Sequence, residues 1–317
     1  MKLVLSLSCA LLLAECAIRP LPEHVTGITT FNIVKQIRCE TREAVFTNLV
    51  TALAENPEVF GERAQRIAEG FRGRPDLMAE LKPALFTGDA GDFVNFFWNT
   101  GIAYNFSLDM TETNNLDSEF NFLQTLTNSS RMLGVKAGID RQRENTRTFT
   151  ITDDFKGLLN LKPRNYCDEH LAARENSIYP IAGKVGIDRL VHQFIRISLF
   201  ANLGAKDDGG APTMVDTLQF QTILTGSAVP KVVFSPLGRA VQLADASLTA
   251  EVTRKDVHTL TMGLSVVAAP AAEATRGKAI FGRLLTSKGS GTRQAAANAV
   301  DQELTRQALS RPVIVRP

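Results

Sequence analysis

The chain has 317 residues, 44% hydrophobic and 21% charged, with a net charge of +2. That is the composition of a globular protein with material for a sizeable core, and it excludes disorder and collagen-like sequence. The near-balance of charge withholds the basic footprint of a nucleic-acid binder, and past residue 16 no run approaches the roughly 18 uncharged apolar residues of a membrane-spanning helix.

Lys2 is followed by an uncharged, mostly apolar stretch from Leu3 to Ala14. As a helix it would rise only about 18 Å against a roughly 30 Å hydrocarbon core, so it reads as the n-region and h-region of a secretory signal. It closes on Leu13-Ala14-Glu15-Cys16. This resembles the lipobox of bacterial lipoproteins, with Leu and Ala ahead of the lipid-receiving cysteine; Glu15 stands where that family carries Gly, Ala or Ser. The resemblance implies a signal peptide over 1–15 and lipid attachment at Cys16. With Ala17 rather than Asp next, it also implies sorting to the outer membrane, facing the periplasm. The stretch from Cys16-Ala17-Ile18-Arg19-Pro20-Leu21-Pro22 through Ile33-Val34-Lys35-Gln36-Ile37-Arg38-Cys39-Glu40 is also similar to uncharacterised envelope lipoproteins of alphaproteobacteria, a likeness that brings no activity with it.

On that reading Cys9 leaves with the signal and Cys16 is acylated, leaving Cys39 and Cys167 as an even pair in an oxidising compartment. They are either a disulfide, or two separate thiols packed as small hydrophobes. Residues 16–27, with Pro20 and Pro22, read as an extended tether.

From Thr30, an expected N-cap, Phe31, Val34, Ile37, Ala44, Val45, Leu49 and Leu53 recur at helical spacing up to Asn56-Pro57. Shorter helices are expected over Pro57 to Phe71 and Pro75 to Leu81, each opening with a proline near a first helical position. Phe93, Phe96, Phe97 and Trp98 form an aromatic cluster, read as core packing. These make a helical region over 28–100. After Gly101 the period changes to two, Ile102, Tyr104, Phe106, Leu108 and Met110 alternating with smaller or polar residues, which predicts a half-buried antiparallel strand. Met132 to Arg143 and Thr146 to Thr152 read as a hairpin turning at Arg143-Glu144-Asn145. Helical spacing returns over 187–203. Further strands are expected over Thr217 to Thr225, Lys231 to Phe234, Val241 to Arg254 and Asp256 to Val267, completing a strand-rich core over 101–267. Residues 268–291 read as an Ala/Gly/Ser-rich linker, and 292–311 as an alanine-rich C-terminal helix stopped by Pro312.

The chain carries no G-x-S-x-G elbow, H-E-x-x-H pair, P-loop or dinucleotide-binding glycine turn, and no cofactor is expected. Cys167-Asp168-Glu169-His170 offers too few ligands for a structural zinc site, which needs about four, so no metal is expected either. His192 reads as a helix-surface residue, and Asp207-Asp208 as a solvated turn without calcium-loop spacing. Arg141, Arg143 and Arg147 are a candidate contact for an anion or partner, weighed against cross-strand ion pairs with acids such as Asp140 and Glu144.

The expected architecture is α+β: an antiparallel sheet or sandwich with an N-terminal helical layer and a C-terminal helix. An outer-membrane β-barrel is the rival, since alternating strands are also its signature, opposed by three Tyr and one Trp, too few for aromatic girdles, and by the long helical stretches at both ends. The function expected is that of a non-enzymatic, lipid-anchored envelope protein that binds or scaffolds another cell-envelope component, an envelope protein being the expected partner. The alternative is a cell-wall hydrolase or transferase built from dispersed carboxylates.

Overall fold

The computed structural model describes residues 19–126, 129–161, 166–167, 176, 179–200, 203, 213–233, 242–266, 279–280, 283–284 and 292–310. Cys16 and most of the 268–291 stretch lie outside them. The chain divides into two compact units, one comprising Met1–Gly27, Leu108–Arg147 and Gln221–Val257, the other Ile28–Ser107, Thr148–Phe220 and His258–Pro317. We call them unit 1 and unit 2.

After a single helical turn, α1 (Glu23–Thr26), unit 2 opens with α2 (Thr30–Glu55). Its N-cap is Thr29, one residue earlier than the spacing predicts, whose hydroxyl accepts the Asn32 N–H; an N-cap needs extended backbone, and Thr29 has it. Ile33, Ile37, Val45, Leu49 and Leu53 are wholly buried at helical spacing. Pro57 begins α3 (Pro57–Phe60), and α4 (Glu62–Phe71) follows Gly61, whose positive φ no residue with a Cβ adopts cheaply. The 75–81 segment is a 3-10 turn, Pro75–Glu80, rather than an α-helix. The aromatic cluster lies on α5 (Asp89–Trp98), where Phe93 and Phe97 stand 5.1 Å apart between ring centres and meet Phe60 and Phe194. All four aromatics are buried, as core packing requires. α6 (Phe155–Leu159) and α7 (Ile187–Phe200) pack on α2, and α8 (Thr292–Ser310) closes the described chain.

The strands are β1 (Gly101–Thr125), β2 (Ser130–Asp154), β3 (Thr213–Ala228), β4 (Lys231–Val233) and β5 (Gln242–Ser265), with a small hairpin of β6 (Ala279–Ile280) and β7 (Arg283–Leu284). The antiparallel sheet runs β2-β1-β5-β3, and β4 continues the β3 edge by pairing with β5. The α+β class, the N-terminal helices and the C-terminal helix are as the sequence predicts. The hairpin is not. β2 runs unbroken through Arg143-Glu144-Asn145, and the reversal comes earlier, where the Leu126 N–H donates to the Ser129 carbonyl at 2.8 Å. The physical reason is that Glu-Asn lacks the glycine of a tight turn, while Arg143 and Thr150 find partners along β1 in Glu112 and Asn105. For the same reason β5 does not break at Lys255.

In unit 2, α8 lies close on the sheet through Ala296 and Val300 against Ala103. Two strand glycines permit this approach. A Cβ on Gly101 would stand 2.2 Å from the Thr292 backbone, and one on Gly263 would stand 2.8 Å from the Ala296 carbonyl.

Candidate functional site

The part of the sheet in unit 1 is amphipathic in a way that can be built from its contacts. Ser118 reaches the Ala137 carbonyl, Glu119 pairs with Lys136, and Glu112 pairs with Arg143, so partners on β1 and β2 have numbers that add to the same total. Asn121 with Asp245, and Glu112 with Arg254, do the same for β1 and β5. Alternate residues of a strand face opposite ways, so this register places Leu116, Phe120 and Phe122 on one face with Leu133, Val135 and Ile139. Leu248 and Val252 of β5, and Val232 of β4 opposite Ala246, share that face. It is exposed: Leu133 is 62% accessible, Ile139 51%, Val252 49% and Val232 55%. The other face carries Asp117, Glu119, Asn121, Lys136, Asp245 and Glu251. Toward the β1–β2 turn Leu123, Met132, Val233 and Leu243 make both faces apolar, and exposed Ile223 of β3 interrupts the polar face farther along.

A charged row ends the apolar face. Glu112 bridges Arg143 at 2.5 Å and Arg254 at 3.7 Å, and Arg254 also pairs with Asp256. Burial works to raise the Glu112 carboxyl, but hydrogen bonds from Asn114 and Arg143 and the charges of Arg143 and Arg254 outweigh it and hold it below the usual range. Arg141, Arg143 and Arg147 therefore do share one face of β2, with Arg143 in a cross-strand ion pair. The N-terminal segment lies beside this row: Asn145 donates to the Pro20 carbonyl at 2.8 Å and Arg254 to that of Leu21 at 3.0 Å. Pro20 and Pro22 are buried. The stretch expected to be a free tether is thus packed from there on, because its carbonyls meet donors that would otherwise lose water.

In unit 2 Cys39 and Cys167 form a disulfide. Of the two readings the sequence leaves open, the bridge is the one found, and it removes the Cys167 thiolate from any metal site. Beside it Arg38 grips Asp153 with two bonds of 2.7 Å and Tyr166 with one of 2.8 Å; the Asp153 bonds raise the guanidinium pKa further. Glu40 is buried on α2 and accepts N–H groups of Val185, Gly186 and Ile187 at 2.9, 2.7 and 2.9 Å, anchoring the start of α7. Burial pushes its carboxyl up, against the pull of those three donors. His258 is buried against Tyr179, whose hydroxyl is hydrogen-bonded to its Nε2. His192 is exposed and bonded to Asn48 at 3.0 Å, on the helix surface as expected. A cleft of about 490 Å³ is lined by Lys184, Asp188, Arg189 and Asp216 together with Leu218 and Met262. Among the described residues no group of His, Cys, Asp or Glu is gathered as metal ligands would be. Cys16, His170 and Asp207-Asp208 lie outside the described residues.

Sequence reasoning passed over Glu40, Glu112, Arg254 and Asp256. Each left a signal: Glu40 falls at helical spacing between the buried Ile37 and Ala44, and the other three stand in the parity of an apolar strand series, Leu108, Met110, Glu112 on β1 and Leu248, Val252, Arg254, Asp256 on β5.

Fold and site define an α+β protein whose antiparallel sheet is left open, with one apolar and one polar face in unit 1. The chain belongs to the y4kA family, described as "Uncharacterised protein y4kA", whose sequence pattern matches residues 19–281. A relative of that description from Sinorhizobium fredii (strain NBRC 101917 / NGR234) is 33% identical over 267 residues, covering 81% of this chain and 80% of its own. Two solved structures align weakly. The InvG secretin domain β-barrel from the Salmonella SPI-1 injectisome matches at TM-score 0.16 and 9% identity, over 68% of this chain and 72% of that one. The open-gate state of InvG matches at 0.11 and 8%, over 56% and 64%. At those scores they carry no argument about fold.

Proposed function

We propose that this protein is a lipid-anchored component of the bacterial cell envelope, fastened through Cys16 to the periplasmic side of the outer membrane, and that it acts by binding or scaffolding another envelope component rather than by catalysis. The observation that carries the reading is the sheet of unit 1, which among the described residues ends in the edge strands β2 and β3–β4 and bares an apolar face. Monomeric soluble proteins rarely leave contiguous apolar surface or long flat edges uncovered unless something else covers them. The lipobox-like start supports the location, and the Cys39–Cys167 bridge suits an oxidising compartment.

The test is crosslinking and pull-down from intact envelopes, comparing wild type, Cys16→Ala, and the double variant Val135→Asp/Leu248→Asp. The expected result is a set of partners lost in both variants while the folded protein persists. Partners unchanged in the double variant, or an unaltered soluble set with Cys16→Ala, would contradict the proposal.

A further inference from the structure

The cleft of about 490 Å³ in unit 2 has two walls. One is the start of α7, from Lys184 to Leu190. Its backbone is fixed from behind: Glu40 accepts the N–H groups of Val185, Gly186 and Ile187, and the Asn48 amide donates to the Asp188 carbonyl at 3.3 Å. Those three amides are occupied, so this wall offers the cleft side chains. The other wall is the sheet. The hydroxyls of Thr217 on β3 and Thr261 on β5 stand 3.3 Å apart, and Gln307 of α8 donates to Thr217 at 3.3 Å, so this row of threonines faces α8. Alternation turns Asp216, Leu218 and Met262 to the opposite face, where they line the cleft.

Asp216 interrupts an apolar row. Met214, Leu218 and Phe220 share its parity on β3, and Leu260, Met262 and Leu264 are buried at the matching parity on β5. A carboxylate placed among apolar side chains is normally paired with a cation. One oxygen of Asp216 accepts the Thr217 N–H at 2.9 Å. Lys184 and Arg189 line the same cleft, yet among the described residues no ion pair joins either of them to Asp216 or to Asp188. Two charges of each sign therefore border an apolar floor without neutralising one another.

That combination selects a ligand. A phosphate-like anion would face two carboxylates, and a simple cation would face two basic groups. A molecule with an ammonium at one end, a carboxylate at the other and an apolar body between them matches every charge, and the cleft falls in the size range of small-ligand sites. We infer that this cleft binds a short apolar peptide with both termini free, its ammonium at Asp216, its carboxylate at Lys184 and Arg189, and its side chains against Leu218 and Met262. The site lies wholly in unit 2 and depends neither on the lipid anchor nor on the apolar face of unit 1.

The test is equilibrium dialysis of the full chain, purified in detergent, against alanyl-leucyl-alanine, its N-acetyl and C-amide forms, free leucine and inorganic phosphate. The expected result is saturable binding of the tripeptide, weakened about tenfold or more by capping either end, as loss of one charge-assisted contact entails. Two variants assign the ends. Asp216→Asn should weaken the free tripeptide about tenfold and make N-acetylation nearly neutral, and Arg189→Gln should do the same for C-amidation. No binding of the tripeptide at millimolar concentration, equal affinity for free and capped forms, or tighter binding of leucine or phosphate than of the tripeptide would overturn the inference. The comparison of free and capped peptides is made on the wild-type chain, so it holds whether or not a variant folds.

Discussion

Removing the Cys39–Cys167 bridge tests how unit 2 is held together. The two cysteines are separated by 128 positions and are both buried, so replacement by Cys39→Ala/Cys167→Ala frees a long loop in the unfolded chain while leaving only small hydrophobic side chains behind. In the chain-entropy account, closing a loop of that length contributes about 5 kcal/mol, a third or more of the roughly 5–15 kcal/mol that stabilises a typical domain. The chain has one tryptophan, Trp98, buried in unit 2 on α5, so urea unfolding followed by its fluorescence reports the unit that contains the bridge. The variant is expected to lose about 3–5 kcal/mol, and wild type treated with reductant to shift nearly as far. A variant within about 1 kcal/mol of wild type would refute the reasoning and place the stability of unit 2 in its packing alone.

Glu40→Ala leaves three N–H donors, one buried and two half-buried, without their carboxylate and is expected to cost on the order of 2–4 kcal/mol, seen as faster hydrogen exchange at the start of α7. Because burial raises the Glu40 carboxyl above its usual range, its contribution is fullest in acid and declines as pH rises through the folded value; the stability gap between wild type and Glu40→Gln should narrow in that direction, as urea titrations at several pH values would show. Gly101→Ala and Gly263→Ala press a methyl group into the α8 backbone and are each expected to cost about 1–3 kcal/mol, Gly101→Ala at the upper end, with lost exchange protection in α8. Glu112 has the opposite sign to Glu40: its carboxyl is held low, so its contribution is present above the usual glutamate range and lost as pH falls through the folded value. Exchange in β1 and β2 of unit 1 should rise on acidification in wild type, and Glu112→Gln should remove that acid-dependent step.

Much of the fold was legible because its periods are strong. The spacing of Ile37, Val45, Leu49 and Leu53 specified a long helix ended by Asn56-Pro57, and the alternation after Gly101 specified a strand. What sequence missed came from pairing at a distance. A break at Arg143-Glu144-Asn145 is plausible from local composition, but Glu112 and Asn105 on the neighbouring strand favour an unbroken β2. The prolines at 20 and 22 point to extended chain, but Pro22 instead opens the helical turn α1, and composition cannot show that Asn145 and Arg254 would bind the carbonyls of Pro20 and Leu21. The open sheet was half visible. Period-two patterning was read from Ile102 to Met110, whereas the amphipathic stretch beyond it emerges only when β1, β2 and β5 are set in register and their apolar positions fall on one side.

The most direct measurement is photocrosslinking in living cells with a probe placed in turn at Leu248, Thr249, Val252 and Thr253, consecutive alternations along β5. If the apolar face of unit 1 is the surface through which this protein works in the envelope, crosslinks at Leu248 and Val252 will exceed those at Thr249 and Thr253 by about threefold or more, following the two-residue period of the strand. Crosslinks of equal yield at all four positions would contradict it.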